Sequence, residues 1–301
     1  MQPMVQMPTP VTAKIDPKRV RRILQRALPN APLQDGPVPE TAVVMAERLS
    51  EMRIQPKRLL LLGCRDTVLT QAIEKQWPKA QLITQTLEPG WAAALRPAPT
   101  RKLFKTVQAP FLCSGLEELP YADGSFDGVI SNLTLHWSPD MKKTLAEIRR
   151  VLRGNGFLLA SQPGSENFRE LRAALAQLDQ QNHGKPLPRL PRAVDIQDVG
   201  DLLASSGYTL PFTDKEGASF PFPNLESLLE EFRFMGTGNP HLPRATGLAG
   251  RNWLQQLEAI YRKQQQVTEN GPIPVSLDII FSLGWKAEDP GGNNMYLPKT
   301  D

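Results

Sequence analysis

The sequence predicts an α/β fold built around a doubly wound parallel sheet. Three apolar runs, at 58–63, 80–84 and 127–132, alternate with helical segments along the first half of the chain. Strands buried on both faces of a parallel sheet have this continuous apolar character, and their alternation with helices is typical of βαβ units. Because crossover connections are right-handed, we expect ligands to bind at the carboxyl ends of these strands.

Two helices are predicted before the first strand and one after it. A basic helix over 16–27 is followed by a proline-containing break over 29–39 and then by an amphipathic helix over 40–52. A short helix over 67–76 connects the first two strands, which is the spacing that a crossover requires.

The third apolar run leads into another helix and strand. Ser138 is expected to cap the helix, with Pro139 at its first position. Residues 154–156 are expected to end it in a left-handed turn, and a strand follows over 157–161. The apolar residues of this helix recur at three- and four-residue spacing: Leu145, Ile148, Val151 and Leu152.

The second half of the chain mixes helices with two longer strand patterns. A proline-rich linker over 183–191 separates the first of these helices from the rest. Helices are predicted over 168–181, 195–206, 225–235 and 253–265, and strands over 212–222 and 274–285.

Charge and hydropathy exclude two classes of partner. The net charge is +4, and the one dense basic cluster, at 18–22, is followed by neither aromatic residues nor a basic stripe. A solvated helix face is therefore predicted there rather than a nucleic-acid site. No apolar run reaches about 18 residues, so no membrane span is expected.

The cysteines indicate the redox environment of the protein and whether a metal site can be built. Cys64 and Cys113 both lie in apolar, strand-like runs, which predicts buried free thiols and a reducing, cytoplasmic environment. Two cysteines and three scattered histidines do not make a ligand set, so no metal site is predicted.

The most informative motif lies at 119–137. It reads LPYADGSFDGVISNLTLHW: a proline and polar turn, a Phe–Asp pair, a strand, and a His–Trp pair. This stretch resembles the middle of class I S-adenosylmethionine (SAM) methyltransferases. Three segments of the second half restrict the resemblance to a smaller group of these enzymes: 201–208, 228–239 and 274–285. Together they are similar to the biotin-synthesis malonyl-acyl-carrier-protein O-methyltransferases (BioC-like) and to a related mitochondrial complex I assembly factor of methyltransferase fold.

The resemblance implies a seven-stranded Rossmann-like methyltransferase sheet whose last strand is antiparallel, with a helical cap insertion over the substrate side. It also implies a division of the chain into five parts. These are a disordered N-terminus (1–15), an N-terminal helical segment (16–56), a SAM-binding core (57–163), the cap with the last sheet strands (164–288) and a loose tail (289–301).

By the same resemblance, SAM would lie over the first, second and fourth strands. Four positions depart from the family pattern: Arg65 and Thr67 stand in place of glycines, Thr86 in place of a ribose-binding acid and Gly115 in place of an adenine-binding acid. The residues that the resemblance assigns to the cofactor are Gly63, Cys64, Arg65, Thr86, Glu88, Gly115, Leu116 and Asn132.

These departures bear on cofactor affinity. A lost hydrogen bond weakens binding by about 1 kcal/mol, and a left-handed residue other than glycine costs about 1–2 kcal/mol. Several such changes sum to roughly 3–5 kcal/mol, or about 100- to 1,000-fold in affinity. Two compensations remain open: Glu88 replacing the missing acid, and Arg65 pairing with the SAM carboxylate.

The acceptor implied by the resemblance is the free carboxyl of a malonyl-type thioester on acyl-carrier protein. An ionised carboxylate needs no catalytic base, so the residues only position it. An arginine is the expected partner because its fork binds a carboxylate through two hydrogen bonds. The candidate substrate residues are His136 and Trp137 after the fourth strand and Arg233 and Arg244 in the cap.

Two functions follow. The first is a SAM-dependent O-methyltransferase of biotin-precursor synthesis. The alternative is a catalytically degenerate binding partner or assembly factor, paired with an intact paralogue. The changes at Arg65, Thr67, Thr86 and Gly115 favour it. A non-methyl reaction such as hydroxylation follows only from the assembly-factor resemblance, and the sequence holds no iron triad.

Overall fold

The computed structural model describes residues 14–95, 111–191, 194–242, 244, 250 and 252–288. The predicted tail at 289–301 and residues 1–13 of the predicted N-terminus lie outside these ranges. Seven strands form one sheet: β1 (Arg58–Leu62), β2 (Gln81–Thr86), β3 (Phe111–Cys113), β4 (Phe126–Ser131), β5 (Leu152–Pro163), β6 (Tyr208–Phe222) and β7 (Ile273–Lys286).

Helices cover both faces of this sheet and build the cap. The helices of the described residues are α1 (Pro17–Ala27), α2 (Pro37–Glu51), α3 (Val68–Gln76), α4 (Pro89–Ala94), α5 (Met141–Val151), α6 (Arg169–His183), α7 (Ile196–Ser205), α8 (Leu225–Met235) and α9 (Trp253–Gln265).

The strand order is β3-β2-β1-β4-β5-β7-β6. Strand β1 pairs in parallel with both β2 and β4, so the chain winds outward from β1 in two directions. Ligands of doubly wound sheets bind in the crevice at such a reversal point, beyond the carboxyl ends of the strands. The turns after Leu62 and Ser131 therefore define where the functional site is expected.

The fold prediction is confirmed, including the antiparallel end of the sheet. Strand β7 pairs antiparallel with β5 and with β6. This arrangement inserts the last strand of the chain between two earlier ones and lets the intervening helices fold over the carboxyl ends of the parallel strands.

Four apolar clusters hold the layers together. One core lies on each face of the sheet, and a third joins α6, α8 and α9 to the start of β7. The fourth packs α1 against Trp91 and Trp137. The N-terminal helix is thus part of the wall over the carboxyl ends of β1 and β2.

Local boundaries differ from the sequence expectation at three places. Residues 154–156 do not form the left-handed turn expected to end α5, because β5 already begins at Leu152 and only Asn155 of the three has a positive φ, 61°. Helix α5 begins after Asp140, whose carboxylate accepts the Lys143 N–H, whereas the Ser138 hydroxyl bonds the Thr144 hydroxyl. Ile15, for which the sequence predicts disorder, is buried and forms an antiparallel bridge with His241.

No helix of the described residues is long and apolar enough to cross a bilayer.

Candidate functional site

A cavity of about 590 Å³ lies between the carboxyl ends of the strands and the cap. The turn after β4 supplies Trp137, the end of β5 supplies Gln162, α6 supplies Arg172, and the cap loop supplies His241. Its walls are mainly apolar, and its volume is that of a small-molecule site. The sheet topology and the cavity therefore identify the same place.

Arg172 is a half-buried cation that lines this cavity. Its Nε donates to the Asn167 carbonyl at 3.1 Å and its Nη2 to the Pro191 carbonyl at 2.6 Å. Burial lowers the pKa of this guanidinium, with no opposing charge to raise it. Among the described residues no carboxylate lies within ion-pair distance of Arg172. A half-buried guanidinium that donates only to carbonyls can still form charge-assisted hydrogen bonds to an anion.

Arg65 is a second cation at the wall of the same cavity, and it is buried. Its Nη1 donates to the Met235 carbonyl at 2.9 Å and its Nη2 to the Leu133 carbonyl at 3.3 Å. Burial lowers the pKa of Arg65 to about 10, and the neighbouring Asp66 opposes that shift. The side chain therefore ties the turn after β1 to the end of α8 in the cap.

A much smaller hollow lies beside Arg65, directly after β1. Its volume is about 10 Å³, which is room for one water at most. Gly63 has φ +75°, and a Cβ added there would lie 2.0 Å from the Thr134 Cγ2. The Thr134 hydroxyl also donates to the Gly63 carbonyl at 3.0 Å. The glycine is thus required by Thr134, which occupies the space above it.

The residues expected to replace the ribose acid are engaged elsewhere. The Glu88 carboxylate accepts the Gly90 and Trp91 N–H groups and caps α4. The Thr86 hydroxyl donates to the Glu88 carbonyl at 3.0 Å. Both side chains are buried in the local structure, so neither one presents an unused oxygen to a ligand.

The other cofactor candidates divide between core and surface. Leu116 is buried in the core on one face of the sheet, and Gly115 is exposed with open space at its Cβ position. The Asn132 amide donates to the Val38 carbonyl, and its oxygen accepts from Ser161. Burial raises the pKa of Cys64 to about 12, so this thiol stays protonated.

His136 and Trp137 lie where the sequence placed them, at the end of β4 beside the cavity. Their rings are 4.5 Å apart between centroids. Burial first, and then Arg65, lowers the pKa of His136 to about 3. The imidazole is therefore neutral at physiological pH and cannot serve as a cation for a carboxylate.

The two arginines assigned to the acceptor do not line the cavity. Arg233 is exposed on α8, because Phe232 and Met235 are the residues of that helix that face inward. Arg244 donates to the His241 carbonyl at the rim. Arg172 is the arginine of the described residues beneath the cap, besides Arg65, that lines the cavity.

The described conformation does not accommodate the cofactor that the resemblance implies. The hollow at the turn after β1 is closed by Thr134, Trp91 and the Arg65 side chain. A nucleoside would have to displace that guanidinium from two carbonyls. The residues that would hold its ribose are already bonded within the protein.

Sequence reasoning missed Arg172 and Gln162. Gln162 lies at the end of β5, and Arg172 lies beyond the bend at Phe168, with φ 56°, where the chain returns over the sheet. The available signal was an arginine one turn after an apolar residue at the start of α6. That signal gains meaning only when α6 is known to lie over the strand ends.

Known proteins match both the sequence and the fold. Residues 60–160 match the methyltransferase domain family Methyltransf_11. A solved methyltransferase structure from Bacillus halodurans C-125 superposes with a TM-score of 0.55 at 14% identity, covering 82% of this chain and 99% of that one. This likeness supports the fold.

Two curated relatives are informative. The Danio rerio protein named Arginine-hydroxylase NDUFAF5, mitochondrial, is 28% identical over 187 residues, covering 62% of this chain and 58% of its own. The malonyl-[acyl-carrier protein] O-methyltransferase of Laribacter hongkongensis (strain HLHK9) is 30% identical over 247 residues, covering 80% of each chain. The predicted resemblance is confirmed, and the chain belongs to the malonyl-[acyl-carrier protein] O-methyltransferase family of SAM-dependent methyltransferases.

Proposed function

We propose that this chain binds the acceptor named for its relatives, the free carboxyl of a malonyl-type thioester on acyl-carrier protein, for O-methylation in biotin-precursor synthesis. Arg172 is the observation that carries the proposal. It places a half-buried guanidinium, with no carboxylate partner among the described residues, in a mainly apolar cavity of about 590 Å³. We also place the reaction in the cytoplasm.

The chemistry requires little of the protein beyond positioning. A malonyl carboxylate is already ionised at neutral pH, so no side chain has to remove a proton. Arg172 would hold the acceptor oxygens through charge-assisted hydrogen bonds. The apolar wall formed by Trp137 and Leu133 would exclude water from the same space.

The test compares carrier proteins that differ only in the terminal carboxyl. Malonyl-loaded and acetyl-loaded acyl-carrier protein are titrated against the full chain by calorimetry. Arg172→Gln should weaken malonyl binding by about 10- to 100-fold, since a hydrogen bond to a charged group contributes about 1.5–3 kcal/mol. Acetyl binding should change little.

Arg169→Gln is the matched control. Arg169 lies on the same helix, but its side chain is 61% exposed and pairs with Glu166 and Glu170. Its loss should leave both titrations unchanged. Equal affinity of the wild-type chain for malonyl- and acetyl-loaded carrier would contradict the proposal.

A second candidate is acceptor binding without methyl transfer, in a binding partner or assembly factor that works beside an intact paralogue. The closed hollow beside Arg65 favours it. Mass spectrometry of malonyl-carrier protein incubated with the chain and SAM separates the two. A gain of one methyl group supports the transferase, and binding without that gain supports the second candidate.

A further inference from the structure

Arg65 lies on the boundary between two spaces. It lines the large cavity beneath the cap and also the small hollow after β1. The hollow lies at the reversal point of the sheet, where the turns after β1 and β4 meet. Thr134 of the second turn packs on Gly63 of the first. This is the position at which doubly wound sheets bind nucleotides and related ligands.

The contacts of Arg65 bridge the sheet and the cap. One bond reaches the Leu133 carbonyl, at a residue with φ 45°. The other reaches the Met235 carbonyl at the end of α8, where the negative end of the helix dipole favours a cation. The Nε of Arg65 has no hydrogen-bond partner in the described part of the chain.

These partners are replaceable. Both of them are neutral carbonyls, and no carboxylate of the described residues forms an ion pair with Arg65. A buried guanidinium held by carbonyls alone is less strongly bound than one held by a carboxylate. A ligand can therefore exchange with this side chain, at the free-energy cost of breaking two hydrogen bonds.

We propose that Arg65 is an internal plug of the cofactor position and competes with S-adenosyl ligands for the hollow after β1. In the conformation with both carbonyl bonds, the hollow is closed. Cofactor affinity is then set by how easily the guanidinium leaves, rather than by new contacts to the ligand. The apparent dissociation constant is raised by the reciprocal of the open fraction.

The test is calorimetric titration of the full chain with S-adenosylhomocysteine. Arg65→Ala should bind at least tenfold more tightly than the wild-type chain. Arg53→Ala is the control, because Arg53 is exposed and precedes β1 at the opposite edge of the sheet. Its affinity should equal that of the wild-type chain. No gain in Arg65→Ala, including no binding by either protein, would overturn the proposal.

A second variant guards against a folding defect. Arg65→Lys retains a cation but cannot reach two carbonyls with one planar fork, so its affinity should lie between those of the wild-type chain and Arg65→Ala. The ligand-induced rise in melting temperature should follow the same order. Equal affinities for the three proteins, or affinities in the reverse order, would overturn the proposal that Arg65 competes with the ligand.

The proposed role of Arg65 rests on a different measurement from the proposed acceptor, so one proposal can be contradicted without the other. Acceptor binding is measured with malonyl-carrier protein and depends on Arg172, whereas the plug is measured with S-adenosylhomocysteine and depends on Arg65. Loss of malonyl selectivity with a retained gain in Arg65→Ala would contradict only the proposed acceptor.

Discussion

His136 shows how one partly buried residue links pH to stability. Its pKa in the folded chain is lowered to about 3, whereas an unfolded histidine titrates near 6.5. Between these values the unfolded state binds a proton that the folded state does not. The stability contributed by the neutral imidazole is therefore complete above about pH 6.5 and is lost as the pH falls toward 3.

His136→Phe should remove this part of the pH dependence. The slope contributed by the histidine is at most about 1.4 kcal/mol per pH unit. Urea unfolding of the wild-type and variant chains between pH 4 and 7 measures it. His183→Phe is the control, since His183 is exposed at the end of α6. Parallel curves for wild type and His136→Phe would contradict the assignment.

At the residue scale, the sequence predicts which turns carry the candidate residues, but it does not predict the direction of their side chains. Gly63 and Trp137 lie at the strand ends as predicted. Arg172 escaped notice because an arginine in an amphipathic helix has the same pattern whether it faces solvent or a cavity. The direction taken by the Arg65 side chain depends on the Met235 carbonyl, which lies 170 residues away in sequence.

At the scale of the elements, α4 depends on a side chain expected to bind ribose. Glu88 accepts the N–H groups of Gly90 and Trp91, at 2.7 and 3.3 Å. Acidic residues at this position also interact favourably with the helix dipole. The helix positions Trp91, which is almost completely buried and donates to the Leu24 carbonyl.

Glu88→Ala should therefore lower the free energy of unfolding by about 1 kcal/mol, the usual effect of losing an N-cap. Chemical denaturation measures the change, and Glu51→Ala at the exposed end of α2 provides the comparison. An unchanged stability would show that the cap contributes nothing and would return Glu88 to the ligand candidates.

The sequence predicts the ends of a helix correctly where the capping residues are neighbours of the helix in sequence. Helices α8 and α9 begin and end where the sequence indicated. The start of α5 was misplaced because two capping residues lie close together. Asp140 has the carboxylate that meets the first turn, while the Ser138 hydroxyl is engaged with Thr144.

At the scale of the whole molecule, the layers meet through close contacts at the centre of the sheet. A Cβ on Gly128 of β4 would lie 2.2 Å from the Phe157 ring and 2.9 Å from the Leu59 Cδ2. Phe157 and Leu59 belong to the core on one face of the sheet. Strand β4 can therefore pair with both neighbours only because this position carries no side chain.

Gly128→Ala should destabilise the fold by about 1–3 kcal/mol through overpacking. Gly115→Ala is the matched control, since open space surrounds its Cβ position, and it should change stability little. Thermal unfolding of the two variants measures the difference. Equal melting temperatures would mean that the core relaxes around the added methyl group.

The topology of the sheet could be predicted because each strand and helix has a local sequence pattern, and these patterns alternate along the chain. The closure of the hollow could not, because it requires α1, the turn after β1 and the cap to meet at one point. No single segment carries that information.

The bridge between Ile15 and His241 has a practical consequence. Two backbone hydrogen bonds make up this bridge and fasten the beginning of the described chain to the cap loop: Asp16 N–H donates to the Pro240 carbonyl, and Leu242 N–H donates to the Lys14 carbonyl. Lys14, Ile15 and His241 also line the cavity beneath the cap, so the bridge is part of the cavity wall. Variants shortened past Lys14 should therefore lose one side of that wall even when every strand remains intact.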